Sequence, residues 1–335
     1  MTGKRLGLFT RLVRSHERQP AAQVYRDALE QIEHAERLGY DTAWVAQHHV
    51  DPAEGGLPSP FVFLAHAAAR ATRIRLGTAI VTLGLEDPIR VAEDAAVLDT
   101  LSGGRLELGF GSGGSKSSFE LFDVPGEQRQ AVYARNLARI TAALGGSELV
   151  PGRRLHPAAG ALARRTWQAT FSVAGAERAG QSGAGLLLSR TQPRDPAAPE
   201  ATLAEIQRPL IDAYLDALPR DVEPRIGASR SVFVADDRDA AARLAEHGAL
   251  RFLEHLRSAG VTELASTVPE VLRDSYVGTP DDVAESLAAD TAAGAAEHLI
   301  VQIHPIDPDQ RAALRSIELI ATKVAPHLGW HPSER

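Results

Sequence analysis

The chain has 335 residues and a formal charge of −7, and 44% of its residues are hydrophobic, which is ordinary usage for a folded domain. The acidic balance argues against a nucleic-acid-binding surface, and the absence of cysteine excludes disulfides, thiolate nucleophiles and cysteine-ligated metals. No window offers the about 18 consecutive apolar residues of a membrane span, so we expect a cytoplasmic protein without membrane contact.

Short strand-like runs alternate with longer alanine-rich runs of helical period over most of the chain. This alternation predicts repeated βα units and a parallel sheet. Helix starts are indicated by Ser59-Pro60, Asp87-Pro88 and Thr279-Pro280, and a helix end by Gly39. The eight predicted strands are, in chain order, Arg5–Thr10, Thr42–Ala46, Ile74–Val81, Arg105–Phe110, Thr166–Phe171, Gly185–Ser189, Ile226–Val234 and His298–Ile303.

Eight strands with helices between them favour a closed barrel, so we predict a single α/β domain, a (β/α)₈ TIM barrel over residues 1–335. A doubly wound open sheet is the competing architecture, because both contain buried parallel strands. Irregular composition predicts insertions in the loops after strands 4 and 7, chiefly at Lys116–Arg165 and Phe252–Tyr276. The second segment is a candidate mobile lid over the barrel mouth.

Functional residues of such a barrel gather at the carboxyl ends of its strands. His48 and His49 follow predicted strand two, where a neutral imidazole can act as a base or hydrogen-bond an oxyanion. The plainer interpretation, two structural or solvated histidines, stays open at this point. No metal site is expected, because no third ligand stands at zinc-like spacing.

Three further strand ends carry candidate cofactor contacts. Gly111 and Ser112, after strand four, open a glycine-rich loop that suits a phosphate or a flat ring, or is simply flexible. Phe171-Ser172-Val173, after strand five, starts a helix whose free N–H groups suit an anion or form an ordinary cap. Ser189-Arg190 follows strand six, where the arginine neutralises the same anion or lies on the surface.

Five stretches of the chain form an ordered series of motifs. They are Leu38-Gly39-Tyr40-Asp41-Thr42-Ala43-Trp44-Val45 followed by Gln47-His48-His49, Leu76-Gly77-Thr78-Ala79-Ile80-Val81, Asp87-Pro88-Ile89-Arg90-Val91-Ala92-Glu93-Asp94, Leu98-Asp99-Thr100-Leu101-Ser102-Gly103-Gly104-Arg105, and Val277-Gly278-Thr279-Pro280-Asp281. In this order and at this spacing, they resemble the motifs of the bacterial luciferase-like monooxygenases. The resemblance implies a (β/α)₈ barrel that binds flavin mononucleotide (FMN) at its carboxyl-terminal mouth.

The resemblance also implies roles for individual residues. His48 would be the catalytic residue facing the flavin. Thr78, Ala79 and Ile80 would lie behind the isoalloxazine ring, with a cis peptide bond between the last two. The phosphate would be held by Phe171-Ser172-Val173 and Ser189-Arg190.

The chain departs from the family pattern at two places. Gln47 stands where the family often has glutamate, which is expected to remove a charge near His48. Gly111 and Ser112 stand where luciferase has a reactive cysteine and a phosphate-binding arginine. The phosphate therefore needs another cation, and the candidates are Arg190, Arg164 and Arg165.

The function implied by the resemblance is a two-component monooxygenase that uses externally reduced FMN and O₂ on an unidentified small-molecule substrate. A separate flavin reductase is the implied partner, in agreement with the lack of a nicotinamide fingerprint. A deazaflavin-dependent hydride-transfer enzyme and a non-catalytic flavin-binding protein are the alternatives. The resemblance also implies a homodimer, since luciferase-like proteins usually pair through helices two and three. The small-residue runs Ala65–Ala69 and Ala92–Ala96 would allow such close packing, although ordinary packing of these helices on the barrel also explains them.

Overall fold

The computed structural model describes residues 4–51, 53–258 and 265–331. The strands in this part of the chain are β1 (Arg5–Thr10), β2 (Thr42–Val45), β3 (Arg75–Thr82), β4 (Leu106–Gly111), β5 (Thr166–Ala169), β6 (Gly185–Leu188), β7 (Ile226–Val234), β8 (Ser275–Gly278) and β9 (His298–Gln302). The α-helices are α1 (Ala21–Arg37), α2 (Pro60–Arg70), α3 (Pro88–Leu101), α4 (Lys116–Leu121), α5 (Arg129–Leu144), α6 (Val173–Gln181), α7 (Leu203–Ala217), α8 (Arg238–Ser258), α9 (Val268–Leu272), α10 (Pro280–Ala288), α11 (Thr291–Ala295) and α12 (Gln310–Leu319).

Eight of these strands close into a barrel of parallel strands. Their order around the ring is β1, β2, β3, β4, β5, β6, β7, β9, and β9 pairs back onto β1. An open sheet would leave two unpaired edges, whereas β1 pairs with both β2 and β9. The predicted (β/α)₈ barrel is therefore confirmed, and the doubly wound alternative is wrong.

The prediction of eight strands missed β8. The inner part of β7 pairs with β6 and β9, and its outer residues Ser231–Val234 pair with Ser275–Gly278. Because β7 runs past the end of its β9 partner, its outer backbone groups need another strand. Four residues are too few to show a strand period, so the sequence around Tyr276 did not reveal this pairing.

Predicted helix starts agree with the capping geometry at two places. The Asp87 side chain accepts from the backbone N–H groups of Ile89 and Arg90 at the start of α3, and Thr279 forms a reciprocal capping box at the start of α10. Ser59 precedes α2 but makes no capping hydrogen bond.

The two segments predicted as insertions are partly regular. The first contains α4, α5 and a 3₁₀ turn at Gly160–Arg165. The candidate lid Phe252–Tyr276 includes the end of α8, α9 and the start of β8, but residues 259–264 within it lie outside the described part. Among the helices that the structure describes, none combines the length and the apolar character needed to cross a membrane.

The interior of the barrel is filled at mid-height by two tryptophans. Trp44 and Trp167 are fully buried and meet edge to face, with ring centroids 5.7 Å apart. Gly77 and Gly185 leave room for them, since a Cβ atom at either glycine would lie 2.2 Å from an indole carbon. This aromatic layer closes the barrel axis and forms the base on which the carboxyl-terminal mouth is built.

Candidate active site

His48 lies in the loop after β2, at the carboxyl-terminal mouth of the barrel. Its side chain is 23% exposed, and its Nδ1 lies 3.7 Å from Glu54 Oε2, which is an ion-pair distance rather than a hydrogen bond. Burial lowers the pKa of His48, and the Glu54 carboxylate partly opposes this effect. His48 is therefore neutral near pH 7 and can accept a proton or a hydrogen bond.

Gln47 is tied to groups other than His48. Its Oε1 accepts from the Thr82 N–H at 2.7 Å, and its Nε2 donates to Glu86 at 2.6 Å and lies 3.1 Å from His49 Nε2. Position 47 therefore contributes no charge beside His48, and the carboxylate near His48 is that of Glu54. The sequence analysis missed Glu54, which lies in the following loop rather than at a strand end.

A half-buried apolar floor lies above the tryptophan layer. Its members pack against Trp44, Trp167 and the strands between them, and they are Phe9, Ala79, Ile80 and Ala169. The Ala79–Ile80 peptide bond is cis, as the resemblance implies. The exposed upper side of this floor is the place in the mouth that suits a flat aromatic ring.

Thr78, the third residue expected behind the ring, and Gly111, a candidate cofactor contact, support this floor. Thr78 is fully buried, and its hydroxyl donates to the Gly109 carbonyl at 3.0 Å and accepts from the Gly109 N–H at 2.9 Å. Gly111 packs closely on Ile80, since a Cβ atom would lie 2.8 Å from the Ile80 Cγ1. The Thr78 hydroxyl therefore belongs to the β3–β4 pairing, and Gly111 leaves Ile80 room in the floor.

The loops after β5 and β6 are in direct contact. Ser172 caps α6 by accepting from the Gly175 N–H at 3.2 Å, and Gln192 Nε2 donates to the Phe171 carbonyl at 3.2 Å. Phe171 and Val173 are exposed beside the cap. The structure thus brings the predicted phosphate residues of these two loops to one edge of the mouth, except for the side chain of Arg190.

Arg129 is a further cation, near the loop after β4, which the sequence analysis missed. It begins α5, and its Nε is buried without a hydrogen-bond partner among the described residues. The next residue, Gln130, donates to the Ser112 hydroxyl at 3.3 Å, so the first turn of α5 reaches the loop after β4.

Arg164 and Arg165 were wrong candidates for the phosphate. They directly precede β5 and so lie at the amino-terminal end of the barrel. Arg165 donates to both carboxylate oxygens of Asp99 at 2.9 Å and to the Leu106 carbonyl at 2.7 Å. The two arginines are close to a strand in sequence, but they precede that strand, whereas the mouth is formed by residues that follow the strands.

Arg190 takes part in a second group of polar residues, on another side of the mouth. Its side chain is 8% exposed, and it makes no hydrogen bond to any residue in the described ranges. Burial and the nearby Arg11 guanidinium lower the pKa of Arg190 to about 9, against the opposing charges of Asp307 and Asp274.

His304, which follows β9, lies in the same group. It is 4% exposed, its Nδ1 is 2.6 Å from Asp307 Oδ2, and its Nε2 has no partner. Burial lowers the pKa of His304 to about 4, although Asp307 opposes the shift. Phe252, from the candidate lid, packs edge to face on its ring with centroids 5.3 Å apart.

The model of the family described as luciferase-like monooxygenase matches residues 5–297. The chain belongs to this family. A relative, 4-hydroxyprotoasukamycin monooxygenase from Streptomyces nodosus subsp. asukaensis, is 31% identical over 92% of this chain and 87% of its own length. The resemblance carried by the sequence motifs is thereby confirmed, and the protein is an enzyme of the luciferase-like type.

Two solved structures show the same fold. One is the oxygenating constituent of 3,6-diketocamphane monooxygenase from Pseudomonas putida in complex with FMN, with a TM-score of 0.76, 18% identity and coverage of 97% of this chain and 98% of that chain. The other is an F420-dependent secondary alcohol dehydrogenase, with a TM-score of 0.72, 14% identity and coverage of 98% and 99%.

The mouth of this luciferase-like enzyme fits a flavin nucleotide. Buried polar atoms are normally hydrogen-bonded, yet Gln192 Oε1, Gln302 Oε1 and Arg129 Nε have no partner. They belong to the loop after β6, the end of β9 and the start of α5. Within the described ranges, the barrel therefore combines an apolar floor with polar atoms that lack partners, which suits a flat ring with a polar edge and a phosphate tail. In the described ranges, no group of three or more side chains is arranged to hold a metal ion.

Proposed function

We propose that this protein is the oxygenase component of a two-component system, which takes externally reduced FMN and O₂ and oxygenates a small organic substrate. The observation that carries this proposal is the juxtaposition, in one mouth, of an apolar floor and a neutral, largely buried His48. The 31% identical relative is named a monooxygenase, and the oxygenating constituent with FMN supports both the cofactor and a separate reductase.

Two separate sets of residues would hold the ring and the phosphate of the cofactor. The ring would lie on the floor, against the backbone of Thr78, Ala79 and Ile80, where Gly111 leaves space for the Ile80 side chain. The phosphate would lie at the start of α6, because free N–H groups at a helix N-terminus favour an anion. Phe171-Ser172-Val173, Ser189 and Ser112 would surround it, with Arg129 as the cation.

His48 would hold a proton at a defined atom. Its Nδ1 faces the Glu54 carboxylate, which favours the tautomer protonated on that nitrogen. Nε2 is then the acceptor available to the reacting groups. Bound reduced flavin supplies the electrons that activate O₂, and the chain's own residues orient it and keep water away from it.

A deazaflavin-dependent hydride transfer is the alternative, which the fold shared with an F420-dependent dehydrogenase supports. Equilibrium dialysis without O₂ separates the two: we expect reduced FMN to bind and the deazaflavin F420 not to. Tight binding of F420 together with weak binding of reduced FMN would contradict the proposal.

The catalytic role of His48 is tested with His48→Gln in an O₂-uptake assay that contains a flavin reductase and a substrate panel. We expect loss of substrate oxygenation with reduced-FMN binding retained, because the imidazole moves a proton and does not carry the ring. The control is His247→Gln, which alters an exposed histidine on α8. Full oxygenation by His48→Gln would refute the role, and absence of turnover in the unmodified enzyme across the panel would favour the non-catalytic alternative.

We also propose a homodimer formed through α2 and α3. Most of the small residues of these helices are buried against the chain's own barrel, including Ala67, Ala92 and Ala95. Packing within the chain therefore accounts for the small size of these residues. The proposal depends instead on the exposed apolar side chains of the same helices, chiefly Val62 at 74% and Leu101 at 71% exposure.

A further inference from the structure

The Arg190 guanidinium is a buried cation with no hydrogen-bond acceptor in the described part of the chain. Another buried arginine, Arg230, has acceptors: it is fully buried and donates to Asp290 at 2.6 Å and to Gln207 at 2.9 Å. An unpaired buried charge is costly, and such groups are retained where a ligand completes them.

The carboxylates near Arg190 already have closer partners. Asp307 is 2.6 Å from His304 Nδ1, and Asp274 is 2.6 Å from the Arg194 guanidinium. The other neighbour, Arg11, is a second cation, which donates through Nε to the Glu54 carbonyl at 2.8 Å. The charged neighbours of Arg190 are thus one cation and two carboxylates, and within the described ranges neither carboxylate forms an ion pair with it.

The position of Arg190 separates it from the edge assigned to the flavin phosphate. Arg190 follows β6, and its charge interacts electrostatically with Arg11 and Asp307, which follow β1 and β9. The proposed phosphate position lies at the ends of β4 and β5: Ser112 follows β4, Ser172 follows β5, and Gln130, next to Arg129, donates to Ser112. In a ring of eight strands, β4 and β5 lie opposite β9 and β1. One phosphate does not bridge both edges.

A cavity of about 60 Å³ adjoins this group of polar residues. It borders Arg11, His304 and Asp307 together with residues of α1 and α12, and Arg190 is not among its lining residues. Within the described ranges, His304 Nε2 is a second polar atom of the group without a hydrogen-bond partner. Two polar groups without partners therefore lie on the side of the mouth away from the proposed phosphate position.

We propose that Arg190, with Arg11 beside it, binds a carboxylate of the organic substrate and so selects an organic acid. A guanidinium pairs with a carboxylate through two parallel N–H···O bonds, which also fix the orientation of the acid above the floor. This inference rests on the proposed function only in placing the substrate in the same mouth as the flavin. It gives Arg190 a role different from the phosphate contact that the resemblance implies.

The test uses Arg190→Met, which keeps the length of the side chain and removes its charge. The probes are acetate and benzoate, each matched with its neutral amide, acetamide or benzamide, and titrated calorimetrically into the protein with and without reduced FMN. We expect the carboxylates to bind the unmodified protein and the amides not to. Arg190→Met should weaken carboxylate binding by at least about 30-fold, because one partner of a desolvated ion pair is lost.

Three controls make the result specific. Arg208→Met alters an exposed arginine on α7 and should leave carboxylate binding unchanged. Ligand-free Arg190→Met should unfold at the same temperature as the unmodified protein or a higher one, because an unpaired buried charge has been removed. The preference for FMN over riboflavin, which lacks the phosphate, should be unchanged in this variant.

The proposal is overturned if the carboxylates bind no better than their amides, or if Arg190→Met retains carboxylate binding. It is also overturned if the variant loses the preference for FMN over riboflavin, since Arg190 would then bind the phosphate. Failure of reduced FMN to bind the unmodified protein would instead contradict the proposed function, and the flavin-free titrations would still decide the carboxylate site.

Discussion

Replacing Gly185 with alanine tests whether the tryptophan layer is as tightly packed as the structure indicates. The added Cβ would lie 2.2 Å from Trp167 Cε3, whereas carbon atoms in contact prefer about 3.5–4 Å. The indole must therefore move by more than 1 Å, roughly the difference between these distances. It is fully buried, with Trp44 packed against it. Overpacking of this kind lowers the free energy of unfolding by about 1–3 kcal/mol. We expect the loss for Gly185→Ala to lie at the upper end of this range, near about 3 kcal/mol.

The assay is urea unfolding followed by far-ultraviolet circular dichroism, with Gly294→Ala as the matched control. Gly294 lies in α11 with nothing within 4 Å of an added Cβ, so its replacement should be neutral or stabilising. Trp167→Phe removes the benzo-ring carbons Cε3 and Cζ3 that conflict with the added Cβ, and it also removes the 2.7 Å hydrogen bond from Nε1 to Glu107. In the double variant with Gly185→Ala, the cost should be at least about 1 kcal/mol below the sum of the single costs.

The displacement of Trp167 expected in Gly185→Ala should also affect function. Ala169, two residues beyond Trp167, belongs to the apolar floor, so a displaced indole should weaken FMN binding as well. A free energy of unfolding for Gly185→Ala within about 0.5 kcal/mol of the unmodified protein, or strictly additive costs, would refute the reasoning.

Three further predictions concern charge and assembly. Glu54→Gln should shift the acidic limb of the kcat/KM profile to lower pH, because it removes a carboxylate that raises the pKa of His48; an upward shift would contradict the assignment. The buried, neutral His304 is protonated in the unfolded chain below its ordinary pKa of 6.5 but in the folded protein only near 4. Unfolding free energy should therefore fall by about 3 kcal/mol between these pH values, and His304→Gln should flatten that slope in denaturant titrations. Val62→Glu combined with Leu101→Glu should yield monomers by light scattering, and a persistent dimer would exclude the α2–α3 face.

Local signals explain why so much of the fold was predictable. The βα alternation determines a parallel sheet, and capping residues such as Asp87 and Thr279 mark helix starts because they satisfy backbone N–H groups within a few residues. The prediction was wrong where pairing depends on distant geometry. β8 exists as a strand because the outer end of β7 needs a partner, and nothing within Ser275–Gly278 indicates this.

In the candidate site too, some features follow from the sequence and others depend on the tertiary structure. By itself, the sequence determined the family, the barrel, the position of His48 at a strand end and the location of the cis peptide. Tertiary structure decided which side chains meet: Glu54 turns back to His48, and Arg165 pairs with Asp99 at the opposite end of the barrel. It also placed Arg190 within electrostatic range of Arg11 and His304. Contacts across a barrel mouth depend on strand order and closure rather than on separation along the chain. Only the folded ring therefore shows that Arg190 has no hydrogen-bond partner within the described part of the chain.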